Sequence, residues 1–151
     1  MSVVEKSIEI NVPVTTAYNQ WTQFEQFPQF MEGVKQVKQL DDKHLFWKAE
    51  IGGQEKEWKA EITEQIPDKR IAWTSQSGAM TAGVVTFHRL SDAKSKVMLQ
   101  MEYDPQGIVE NVGDAIGVVS QRVQGDLERF KQYIESRGNE SGAWRGTVKG
   151  H

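Results

Sequence analysis

The chain has 151 residues and a mass of 17.2 kDa, the size of one domain. Its 18 Lys and Arg against 21 Asp and Glu leave a net charge of −3, which argues against a nucleic-acid scaffold, because neutralising phosphates takes a basic footprint. With no cysteine, disulfides, thiolate nucleophiles and Cys-ligated metal sites are excluded together.

Val4, Ile8, Ile10 and Val12 alternate with polar neighbours and predict a half-buried first strand, with Lys6 interrupting the apolar side. Pro13 suits a helix start, and Val14, Ala17, Tyr18 and Trp21 follow on one stripe of a short helix. Phe24, Phe27, Phe30 and Met31 around Pro28 predict a second short helix or aromatic turn. Val34, Val37 and Leu40 alternate poorly, whereas Leu45, Trp47, Ala49 and Ile51 alternate cleanly. Gly52-Gly53 is a two-residue hairpin signal. Pairing Ile51 with Gln54 across it sets Trp47 opposite Trp58 on one face. Pro67-Asp68 makes the next turn, and pairing Ile66 with Lys69 sets Trp73 opposite Ile62 on that same face. Gly83, Val85 and Phe87 form a further strand whose register stays open. A two-residue turn at Ser77-Gly78 would put them on the face opposite Trp73, and one more loop residue would restore them. Val97, Leu99, Met101 and Tyr103 make the last strand.

Beyond Pro105, Val112, Ile116, Val119, Val123, Leu127, Phe130 and Ile134 recur by fours and threes, predicting one long amphipathic helix closed by Gly138. Residues 1–138 then form the domain, and 139–151 read as a flexible tail. The expected class is α+β: about seven antiparallel strands in a curved sheet wrapped around a long C-terminal helix, with two short helices after the first strand.

Ile8-Glu9-Ile10-Asn11-Val12-Pro13 followed by a helix ending in Trp21 resembles the START-like (SRPBCC) superfamily of helix-grip proteins. Pro28-Gln29-Phe30-Met31-Glu32-Gly33-Val34, Glu57-Trp58-Lys59-Ala60-Glu61-Ile62 and Asp126-Leu127-Glu128-Arg129-Phe130-Lys131 are similar to its bacterial polyketide cyclase/dehydrase-like branch, as is the tail Gly142-Ala143-Trp144-Arg145-Gly146. The resemblance implies an apolar cavity between sheet and long helix. It carries over no catalytic motif. Relatives include aromatic polyketide cyclases, coenzyme Q-binding proteins and lipid carriers.

With such a cavity, the expected ligand-binding wall comprises Trp21, Phe30, Trp47, Trp58 and Trp73 from the first half of the chain. Val85, Met101 and Tyr103 from the last strands, and Ile116 and Val119 from the helix, complete it. The plainer alternative is that the indoles only fill the core. Gly113 and Gly117 cost about 1 kcal/mol each in a helix interior and read as a gate, or as close packing or a loop. Glu110 and Asp114 share a helix face, which solvation explains without acid–base chemistry. His44, His88 and His151 lack clustered partners, so no metal is expected, and with neither a P-loop nor a G-x-G-x-x-G motif no cofactor is expected. No apolar run approaches the ~20 residues of a membrane span, and Met1 to Lys6 lacks the apolar stretch of a secretory signal. The expected protein is cytoplasmic, with no transmembrane segment or nucleic-acid partner. It is expected to bind a small hydrophobic or amphipathic molecule. An enzyme of the cyclase/dehydrase type and an interaction module are the alternatives.

Overall fold

The alternating segments become seven antiparallel strands in the computed structural model, which describes residues 2–31, 33–51, 54–75, 80–103 and 115–148. They are β1 (Ser2–Ile10), β2 (Val34–Gln39), β3 (His44–Ile51), β4 (Gln54–Ile66), β5 (Arg70–Ser75), β6 (Met80–Ser91) and β7 (Lys94–Tyr103). Strands β2 to β7 follow one another as a meander, and β1 adds beside β7, giving the order β1-β7-β6-β5-β4-β3-β2. Helix α1 (Val14–Trp21) and a 3-10 helix (Phe24–Gln29) connect β1 to β2, and helix α2 (Ala115–Arg137) follows the sheet. The arrangement is the expected α+β helix grip: a curved sheet with a long helix on its apolar face.

Register follows from turn chemistry. Ile51 pairs with Gln54, so Trp47 stands opposite Trp58, as the glycine pair predicts. Gly52 and Gly53 themselves lie outside the described residues. The next turn is one residue longer than expected. Ile66 pairs with Arg70 around Asp68, whose φ of 62° is the left-handed conformation that Asp tolerates. A bulge between Ile62 and Glu64 removes the offset, so Trp73 still meets Ile62. In β6, Gly83 pairs with Trp73 and Val85 with Ile71, which fixes the register left open by the sequence and puts both on the inner face. The Ser77-Gly78 turn lies outside the described residues.

The stripe on α2 does what its spacing implies. Val123, Leu127, Phe130 and Ile134 are buried. Each such side chain taken from water contributes about 1.5–3 kcal/mol. Gly138, at φ 78°, ends the helix by donating its N–H to the Ile134 carbonyl at 3.0 Å. Edge-to-face rings fill the region between α1, the 3-10 helix and α2. Trp21 lies 4.9 Å from Phe130 and 5.5 Å from Phe27, and Tyr18 lies 5.2 Å from Phe87.

Residues 140–148, expected as a flexible tail, lie along α1. The reason is the buried polar pair Asn19 and Gln20, whose amides need partners. Ser141 donates its N–H to Gln20 Oε1 at 2.8 Å, and Asn19 Nδ2 donates to Glu140 Oε2 at 2.8 Å. Arg145 clamps both Asp68 oxygens at 3.0 and 2.9 Å and lies over the Tyr18 ring. Val148 closes an antiparallel bridge to Gln65.

Candidate ligand cavity

A cavity opens beside this aromatic core, between the inner face of the sheet and α2. It measures about 110 Å³, where about 10–15 Å³ on this measure suffices to hold one water. The 3-10 helix and its flanks supply Trp21, Phe24, Phe27 and Met31. Strand β3 supplies Leu45, Trp47 and Ala49, and β4 supplies Trp58 and Ile62. Trp73, Leu99 and Met101 extend the wall across β5 and β7. Helix α2 supplies Val123 with two charged residues, Arg122 and Asp126.

Local structure explains the placement. Trp47 and Trp58 sit on directly paired positions and stack, with centroids 5.9 Å apart and planes 4° from parallel. Trp73 continues the row because Gly83 opposite it carries no side chain. A Cβ there would overlap the indole and come within 2.9 Å of Met101 Sδ. The three indoles are partly buried, whereas Trp21 is 1% exposed.

The polar groups differ in their partners. Asp126 is 9% exposed and accepts a hydrogen bond from Arg129 Nη2 at 2.7 Å. Arg129 also donates from Nε to the Phe30 carbonyl at 2.9 Å, fastening α2 to the end of the 3-10 helix. Arg122 reaches from α2 to the Glu50 carbonyl at 2.9 Å. It passes over Gly33, whose φ of 80° and close approach leave no room for a side chain. Two donors stand apart from these bonds. Trp21 Nε1 and Trp47 Nε1 are buried, with no acceptor within reach among the described residues.

Of the expected wall residues, Trp21, Trp47, Trp58, Trp73 and Met101 line the cavity. Phe30 instead packs among Phe27, Phe130 and Tyr133, and Val85 is fully buried in the core. Tyr103, Ile116 and Val119 belong to elements whose side chains are not described at those positions. Gly113, Glu110 and Asp114 lie outside the described residues, and Gly117 falls in the first turn of α2. Phe24, Phe27, Met31, Leu45, Ala49, Ile62 and Leu99 were not among the expected wall. Leu45 and Ala49 share the parity of Trp47, Ile62 that of Trp58, and Leu99 that of Met101, so period two was the signal that could have found them. Among the described residues, no three His, Asp or Glu gather as metal ligands, and no helix is long and apolar enough to cross a membrane.

A curled seven-stranded sheet gripping a C-terminal helix over an apolar cavity is the helix-grip arrangement that the START-like resemblance implies. Residues 10–131 match the family described as polyketide cyclase/dehydrase and lipid transport, and the chain belongs to that family. It is 59% identical over 149 residues to an uncharacterised 17.2 kDa protein of Streptomyces lincolnensis, spanning 98% of this chain and 99% of that one. Its fold is similar to that of the Zhui aromatase/cyclase of Streptomyces sp. R1128, with a TM-score of 0.76 at 15% identity, covering 95% of this chain and 99% of the other. A START superfamily protein from Mycobacterium smegmatis aligns with a TM-score of 0.70 at 17% identity, over 89% and 95% of the two chains.

Proposed function

We propose that the cavity binds a small hydrophobic or amphipathic molecule, such as a lipid, an isoprenoid quinone or a polyketide-like aromatic, and that the protein carries or sequesters it. The observation that carries this reading is the row of Trp47, Trp58 and Trp73 around an unfilled space. Three indoles kept partly uncovered beside a cavity forgo packing that a plain core would have taken. The family's description, which includes lipid transport, supports it. Native mass spectrometry of the purified protein, followed by extraction, tests it. An apolar molecule released on denaturation is the expected result. Protein that carries no such molecule, and whose tryptophan fluorescence ignores 1-anilinonaphthalene-8-sulfonate, would overturn it.

One observation favours a second reading, an enzyme of the cyclase/dehydrase type. Arg122 and Asp126 stand one helical turn apart on α2, and both line the cavity. A guanidinium and a carboxylate beside an enclosed poly-β-ketone could orient it for ring closure. Cyclisation of a poly-β-ketone thioester that is lost in Asp126→Asn, with binding retained, is the result that reading requires.

A further inference from the structure

The segment that walls the cavity between β1 and β2 is gripped from its other side by the tail. Trp21, Phe24, Phe27 and Met31 line the cavity. Interleaved with them, Gln20, Thr22 and Gln26 bond the tail. Gln20 Oε1 accepts the Ser141 N–H at 2.8 Å, and Gln20 Nε2 donates to Ser141 Oγ at 3.1 Å. Thr22 Oγ1 accepts the Trp144 N–H at 3.0 Å. Gln26 Oε1 accepts the Ser141 hydroxyl at 2.8 Å and the Tyr133 hydroxyl at 3.0 Å, so tail, 3-10 helix and α2 meet at one atom.

The tail's own ends are fixed elsewhere. It leaves α2 at Gly138, and Val148 exchanges both backbone bonds with Gln65 of β4 at 2.7 and 2.9 Å. Arg145 adds its clamp on Asp68 in the β4–β5 turn and reaches Asn19 Oδ1 at 2.7 Å. The tail therefore crosses the segment from helix to sheet. What it crosses is weakly self-supporting: α1 has eight residues, and the six-residue 3-10 helix contains Pro28. Helices this short take their position from what packs against them. On the cavity side, a hollow stands in place of part of that packing.

We infer that the tail is a positioning strap for the ligand site. Docked, it holds the wall from Trp21 to Met31 in its binding shape; undocked, it lets affinity fall. Ser141 and Arg145 then set binding strength without touching the ligand. The inference rests on the binding function proposed above and adds its control. Such coupling is reciprocal, so a ligand in the cavity also holds the strap down.

The test uses the full chain and N-phenyl-1-naphthylamine, a neutral probe whose binding does not depend on the Arg145 charge. Hydrogen exchange at the Ser141 and Trp144 amides reads the strap in the wild type alone. A tail that merely frays opens locally, and ligand stabilisation against global unfolding leaves such amides unmoved. Coupled to the site, they should exchange about fivefold more slowly when the probe is bound. Fluorescence titration of Arg145→Ala reads the converse, and about fivefold weaker binding is expected. Asp41→Ala, which removes the acceptor of the β2–β3 turn, controls for lost stability and should bind as wild type does. Tail amides that exchange equally with and without bound probe would overturn the strap and leave cavity binding intact. Equal loss of affinity in the two variants would do the same. A probe that does not bind the wild type would count against the binding function, and with it this inference. Because exchange is read on the wild type, a variant that does not fold leaves the test standing.

Discussion

Trp21 and Trp58 are chemically identical side chains with different energetic duties. Trp21 is enclosed by Phe27, Phe87 and Phe130, so Trp21→Ala should cost about 3–5 kcal/mol of stability in urea denaturation. Trp58 lies on the cavity wall and is partly exposed, so Trp58→Ala should cost less than about 3 kcal/mol while changing the fluorescence response to an apolar probe. Equal losses for the two would mean that Trp58 serves as ordinary core. Gly83 gives the complementary test, since its missing side chain is what admits the Trp73 ring. Gly83→Ala should destabilise by about 1–3 kcal/mol, and adding Trp73→Phe should recover part of that loss by shrinking the ring it meets. The denaturation midpoints of the single and double variants decide it.

Helix α2 is held to the sheet by its apolar stripe and by polar ties at its end. Glu135 accepts hydrogen bonds from the Asn11 N–H at 2.8 Å and from Lys131 Nζ at 2.6 Å. Partial burial pushes its carboxyl pKa up, but these two donors outweigh burial and hold it below the usual 4.5. A depressed carboxyl pKa adds stability above the unfolded value and loses it as pH falls through the folded one. Glu135→Gln should therefore be less stable than wild type at neutral pH, with the gap closing as pH drops below 4.5, read from thermal melts across pH. The tail is a second such tie. Removing residues 140–151 should lower the melting temperature, because Asn19, Gln20 and Tyr18 lose their cover, and Arg145→Ala should reproduce part of the loss. Strands β3 and β4 and helix α2 were legible because their apolar periods are clean, whereas β2 alternates poorly; the Trp47–Trp58 pairing was legible because a Gly-Gly turn leaves little choice of register. The β4–β5 turn was not: its extra residue and the bulge near Thr63 cancel, so the sequence shows neither. The tail's docking is hidden for another reason. Asn19 and Gln20 look like solvent-facing helix residues until something covers them. Arg122 and Asp126 escaped because an apolar stripe does not say which flanking polar residues meet a hollow rather than solvent.

The whole molecule brings distant stretches of chain together. Strand β1 pairs with β7 along its entire length, from Ser2 opposite Tyr103 to Ile10 opposite Ser95. During synthesis β1 must therefore wait for β7, the last of the described strands in chain order. At about 5–20 residues per second, that delay is on the order of ten seconds. Through it, β2 to β6 can zip up by local hairpins, with their tryptophan row uncovered until α2 is synthesised. Protease added to ribosome-stalled chains ending at Ser91 should cut within residues 2–10, and chains released at full length should resist there. Early protection of β1 would mean that it finds a temporary partner. Synthesis is thus the period in which the molecule's sheet edge is most open to pairing with a neighbouring nascent chain.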